Sequence, residues 1–139
     1  MPNLQIRRDI HACENAIKRY LKPVDIEIKH YFAKGLYARE AYIPKGVCCT
    51  GKIHRHSHIN IISKGVILVV TESGKQRVEA PFTMVSEPGT KRAGYALEDT
   101  IWTTIHATEE GMTDLDELER YLITDSYEGL ECPGSPLLD

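Results

Sequence analysis

The chain has 139 residues, one domain's worth, and enough of them to bury a substantial hydrophobic core. Its 42% hydrophobic and 27% charged residues are ordinary globular values, and a net charge of -3 argues against nucleic acid or a membrane surface as partner. No stretch approaches the roughly 20 apolar residues of a membrane span, and MPNLQIRRDIHACENAIKRYL lacks the apolar centre of a signal peptide, so the expectation is a cytoplasmic protein.

The first signal along the chain is helical. Ile6, Ile10, Ile17 and Leu21 stack on one helix face, Arg7, Arg8, Glu14, Lys18 and Arg19 occupy the rest, and Pro23 stops the pattern. This predicts an N-terminal helix over residues 1–23 that lays its apolar stripe on the body of the domain. From Val24 to about Thr108 the period changes to two. VDIEIKHYF, GLYAREAYI, GKIHRHSHINII, VILVVT, QRVEA, FTMVS, AGYAL and TIWTTIHA are separated by turn formers such as Pro44-Lys45-Gly46, Ser63-Lys64-Gly65 and Glu87-Pro88-Gly89. Short strands with no helix between them predict an all-β sandwich or closed barrel over residues 24–108. Helical periodicity returns after His106. Thr113 is the expected cap of a helix over Asp114 to Ile123, with Leu115, Leu118 and Leu122 on one face, and SYEGLECPGSPLLD completes residues 109–139 as a loose tail.

The four cysteines, Cys13, Cys48, Cys49 and Cys132, form no CxxC pair and read as reduced thiols, Cys48 and Cys49 as small residues of a strand. Ile59 and Ile61 make the face opposite the histidines apolar, and the run Val66 to Val70 is apolar on both sides, so each strand is expected to be covered on both faces. Covering both needs a second sheet, helices or a partner subunit, which predicts a homodimer.

The most informative run is His54-Arg-His56-Ser-His58-Ile-Asn60. Alternation along a continuous strand would send residues 54, 56, 58 and 60 to one side, with same-side neighbours about 7 Å apart. Three imidazoles and an amide contribute little apolar area and need partners when buried. Neutral imidazole is a good ligand for zinc, iron or nickel, so His54, His56 and His58 are read as ligands of one ion. The competing reading is a solvent-facing or hydrogen-bonded histidine face without metal.

In this region the sequence resembles the cupin superfamily. HRHSHINIISKG has the layout of the first cupin motif, with Gly65 as its turn glycine and His58 where that motif carries a glutamate; His54 and His56 sit closer to that position than is usual. Glu87-Pro88-Gly89-Thr90-Lys91-Arg92 resembles the second motif, with Arg92 in place of its metal-binding histidine. The resemblance, over about residues 36 to 108, implies a cupin (jelly-roll) antiparallel β-barrel flanked by an N-terminal and a short C-terminal helix. It implies one divalent transition metal ion (Zn, Fe, Ni or Mn), with His106 as candidate fourth ligand. More narrowly, the run is similar to small cupin-like proteins of tailed bacteriophages, which implies a viral protein acting in the host cytoplasm on metabolism or signalling.

A cupin barrel opens at one end, and inward-facing residues there choose the ligand. Asn60, Arg92, Tyr95 and Trp102 are the candidates, Arg92 as a planar cationic fork for carboxylate or phosphate, against a simple rim salt bridge for Arg92 and a core role for Trp102. His30 is expected in the core or an interface. The sequence contains no GxSxG, GxxxxGK[ST] or GxGxxG motif and no acidic pair placed for acid–base work. The expectation is therefore a metal-binding protein that holds a small anionic ligand in the barrel mouth. The alternatives are a metal-dependent dioxygenase or isomerase, and a metal-free structural or virion interaction module.

Overall fold

The computed structural model describes residues 26–71 and 74–124, together with Arg8; the helix expected over residues 1–23 and the tail after Thr124 lie outside the described residues. Among the described residues the period-two pattern becomes eleven short strands. They are β1 (Glu27–Ala33), β2 (Leu36–Ile43), β3 (Cys48–Thr50), β4 (Ile53–His54), β5 (His58–Lys64), β6 (Val66–Thr71), β7 (Gly74–Glu79), β8 (Phe82–Ser86), β9 (Ala93–Ala96), β10 (Thr100–Ala107) and β11 (Ile123–Thr124), with one helix, α1 (Leu115–Leu122), before the last. All pairings are antiparallel. One sheet runs β1-β2-β10-β5-β8 and a second β3-β9-β6-β7, while β4 and β11 form a separate ribbon.

The two larger sheets close on each other through their inner faces. Ala41, Ile43 and Ile62 of the first meet Ile67, Val69, Val78 and Ala96 of the second in one buried cluster. Alternation decides which residues reach it: β2 turns Tyr37, Ala41 and Ile43 inward and β6 turns Ile67 and Val69 inward. The outer sides are not covered by the described residues, contrary to the two-sided burial the apolar runs suggested. Ile59 is 42% exposed and pairs directly with Val85, 64% exposed, and Leu68 is also open to solvent.

Gly65 turns β5 into β6 with φ +95°, a region that suits glycine. A Cβ there would lie 2.3 Å from the Asp99 carbonyl oxygen and 2.6 Å from Thr100 Oγ1, so no side chain fits. At the other end of the barrel α1 starts one residue later than the sequence suggested. Its cap is Asp114 rather than Thr113, because Asp114 is extended and its carboxylate accepts the Glu117 backbone N–H at 3.0 Å. Of the three leucines expected on one face, Leu118 and Leu122 are buried against Tyr37 and Met112, and Leu115 is exposed. The helix thereby closes off the end of the barrel near Tyr37.

The largest departure from expectation lies at residues 51–62, which do not form a continuous strand. β4 stops at His54, residues 55–57 leave the sheet, and β5 starts at His58. The backbone there is bonded elsewhere. The His54 carbonyl accepts from Gly89 N–H, Arg55 N–H donates to the Leu122 carbonyl, and Arg55 Nε donates to the Ile123 carbonyl. These bonds draw the segment towards α1 and β11 and break the alternation.

Candidate metal centre

Three strands bring three imidazoles together. His54 ends β4, His58 opens β5, and His106 stands near the end of β10, and one ring nitrogen from each lies within 4.8 Å of the other two. The ring centres of His54 and His58 are 4.2 Å apart, those of His58 and His106 4.8 Å, and those of His54 and His106 5.5 Å. His58 and His106 are each only 4% exposed. Nε2 of His106 is 2.9 Å from Thr104 Oγ1, and Tyr37, itself hydrogen-bonded to His30 Nδ1 at 2.6 Å, stacks on the His106 ring. His58 Nδ1 lies 3.5 Å from the His56 carbonyl, at the limit of a hydrogen bond, and its buried Nε2 has no partner.

Burial determines the protonation of these rings. It pulls His54 down to about 2, with the neighbouring rings and then Arg92 and Arg39 adding to the effect. Burial, then Arg92, brings His58 to about 4; burial, then His58 and Arg39, brings His106 to about 3. All three are therefore neutral near pH 7, the form that binds a metal. Nitrogens around one ion at about 2.1 Å lie roughly 3–4 Å from each other. The observed spread, up to 4.8 Å, exceeds that by roughly one to two ångströms, which the rings would close on an ion, and the orphaned His58 nitrogen lacks the partner an ion would supply. The residues present fit a transition metal.

A polar chain runs beside the cluster. Trp102 Nε1 donates to Asn60 Oδ1 at 3.0 Å, Asn60 Nδ2 donates to Ser86 Oγ at 2.7 Å, and Arg92 Nη2 donates to the same Ser86 oxygen. The Arg92 guanidinium carbon is 5.8 Å from the centre of the Trp102 ring, and its buried Nε has no partner. Burial lowers Arg92 to about 10, which still leaves it cationic at neutral pH. No rim salt bridge engages it among the described residues.

All of these groups except Ser86, which lies behind Asn60 and Arg92, line one cavity of about 540 Å³, within the range of small-molecule sites. His54, His58, Asn60, Arg92, Trp102 and His106 all face it, and two candidates do not. His56 lies on the exposed connection between β4 and β5 with its ring 4.9 Å from that of Tyr121. Tyr95 is 44% exposed, because β9 turns Gly94 and Ala96 inward and so turns Tyr95 out. His30, expected in the core or an interface, is exposed at the cavity edge. Arg39, Tyr37 and Ser86 were not singled out from the sequence. The first two were legible in LYAREAYI, where alternation puts Arg39 on the same side as Tyr37, Ala41 and Ile43. Ser86 carries no such signal, since it is an ordinary serine at a strand end.

No family model and no curated protein matches the chain. Solved structures do. KdgF from Halomonas sp. is similar at TM-score 0.54 and 21% identity, over 65% of this chain and 86% of that one. A cupin superfamily protein from Desulfitobacterium hafniense is similar at TM-score 0.53 and 7% identity, over 63% and 82%. The cupin domain of Schizosaccharomyces pombe Cnp3 is similar at TM-score 0.51 and 16% identity, over 70% and 74%. The fold is that of a cupin. Within this barrel, Arg92 lines the same cavity as the histidine cluster, so a fixed positive charge stands beside the three neutral rings. Among the described residues no helix is long and apolar enough to cross a membrane.

Proposed function

We propose that this cupin binds one divalent transition metal ion through His54, His58 and His106, and holds a small anionic molecule between that ion and Arg92. One observation carries the reading: three imidazoles from three separate strands converge within 4.8 Å, and a buried nitrogen of one has no partner. Such an ion supplies a Lewis-acid centre with open coordination positions. The chain's own groups do the rest. Thr104 and Tyr37 hold the His106 ring, while Ser86 and Asn60 hold the Arg92 fork towards the cavity. His56 is not a ligand in this proposal, because it is exposed and its ring lies tilted against that of Tyr121.

Metal analysis of protein purified without a histidine tag tests the reading. One ion per chain is expected in the wild type and in His56→Ala, and less than a tenth of that in His58→Ala. Equal metal content in all three would sink it. The same ion can serve turnover, so a dioxygenase or isomerase remains the second reading; the three-ligand set, which leaves positions open, favours it. Oxygen uptake abolished by His58→Ala decides for the oxygenase. Self-association is part of the proposal, through the exposed Ile59–Val85 pair. A phage origin and a host-directed role rest on the sequence resemblance alone.

A further inference from the structure

The charge of the cavity deepens that reading. The protein is acidic overall, with a net charge of -3, yet its cavity is not. Of the charged side chains that line it, Lys52 and Glu119 pair with each other at 2.8 Å. The remaining two are both guanidinium groups, Arg39 and Arg92, and neither has a carboxylate partner among the described residues. The proposed ligand rings are neutral and offset none of this charge. A bound divalent ion would add to it.

The two arginines reach the cluster from different sides. Arg39 stands on the inner face of β2, in register with Thr104, which is itself in register with Asn60. Two inter-strand spacings of about 4.8 Å therefore separate Arg39 from the Asn60–Ser86–Arg92 chain. Arg92 is held at β8 through Ser86 and Arg39 stands on β2, with β10 and β5, which carry His106 and His58, between them. A guanidinium is a planar fork matched to a carboxylate. The unpartnered Nε of Arg92 is a donor that a carboxylate edge can take up.

We infer that the ligand is a short dicarboxylate, with one carboxylate on Arg92 beside Trp102 and the other on Arg39. This rests on the proposed anion site but reaches past it, because a single carboxylate would leave one guanidinium on the cavity wall without a counter-charge. Arg39 is then the residue that tells a dicarboxylate from a monocarboxylate.

Isothermal titration of chelator-treated and of zinc-reloaded protein with glutarate, succinate, butyrate and inorganic phosphate tests this. Glutarate or succinate is expected to bind at least about tenfold tighter than butyrate. Arg39→Gln should shrink that preference below about threefold, weakening the dicarboxylates more than butyrate, and Arg39→Lys should keep part of it. Arg92→Gln should weaken the dicarboxylates and butyrate together. Butyrate within threefold of both dicarboxylates in the wild type overturns the inference, as does a preference that survives Arg39→Gln, or phosphate binding tighter than either dicarboxylate. If Arg39→Gln does not fold, the wild-type series and Arg39→Lys decide alone. A chain that takes up no zinc yet prefers dicarboxylates refutes the metal reading and leaves this one standing; zinc uptake without the preference does the reverse.

Discussion

Replacing His58 by leucine separates a metal ligand from a structural histidine, because the two roles predict opposite signs. His58 is 4% exposed, its Nε2 is unpartnered, and its Nδ1 contact at 3.5 Å is marginal. A buried polar group left unsatisfied costs about 1–3 kcal/mol. Leucine removes that cost and adds apolar burial worth about 2 kcal/mol, against about 1–3 kcal/mol of misfit in a space shaped for a ring. The metal-free variant is therefore expected at least to equal the wild type and to exceed it by about 2 kcal/mol at the middle of these ranges, a rise of about 6 °C in Tm. With zinc the order reverses. A wild type with free ion a thousandfold above Kd gains about 4 kcal/mol, close to 12 °C at about 3 °C per kcal/mol. The variant, left with two ligands, should lose most of that gain. Differential scanning calorimetry of both proteins, with chelator and with zinc, reads all four values. A wild type whose Tm ignores zinc refutes the reasoning, as does a metal-free His58→Leu that loses several kcal/mol.

Three further outcomes follow from the same geometry. The folded-state pKa values of His54, His58 and His106 lie below the unfolded value of 6.5, so the unfolded chain takes up protons first and the metal-free protein loses stability as pH falls below 6.5. Each ring should cost about 1 kcal/mol between pH 7 and 5.5, readable as a falling urea midpoint, and a variant lacking all three rings should have a much flatter profile. Gly65→Ala forces a Cβ to within 2.3 Å of the Asp99 carbonyl oxygen and should cost more than about 3 kcal/mol in urea denaturation; a loss under 1 kcal/mol contradicts the described hairpin. Val85→Lys puts a charge in the centre of the exposed apolar pair with Ile59 and should halve the sedimenting mass of a dimer held there, leaving Tm within a few degrees.

How much of this could be read from the sequence depends on the range of the deciding interaction. The β architecture, the inward face of TIWTTIHA and the turn at Gly65 are local, following from side-chain alternation and from a glycine that sequence spacing marks. His106 could be placed beside the other histidines only through the cupin resemblance, since β10 and β5 lie far apart in sequence and meet only in the sheet. His56 failed for the opposite reason. Alternation holds only while a strand continues, and the bonds that interrupt this one come from Gly89, Leu122 and Ile123. No pattern within HRHSH reports them. Tyr95 was on the wrong side because the tight burial of Gly94 against Ile67 and of Ala96 decides the face of β9, and small residues carry little weight in a hydrophobic pattern. Arg39 is different again. Its position was available in LYAREAYI, but a charge on an apolar face draws notice only once the cavity beside it is known.

The inner face of the five-stranded sheet explains why the site tolerates so much buried polarity. One row across it reads Ile28, Ala41, Trp102, Ile62 and Phe82, and is apolar throughout. The next row along the strands, about 7 Å on, reads His30, Arg39, Thr104, Asn60 and Met84, and beyond it come Tyr37, His106, His58 and Ser86. A single step along β2, β10 and β5 thus separates close-packed core from a polar layer that lines the cavity. Trp102 sits on the boundary, its ring in the core and its indole N–H on Asn60. The apolar row packs beneath the site, and burial above it is what leaves the rings neutral and lowers Arg92. A layer chosen for stability alone would not leave His58 Nε2 and Arg92 Nε without partners at that depth. Two orphaned polar atoms on one cavity are what the proposed ion and anion would satisfy from outside the chain.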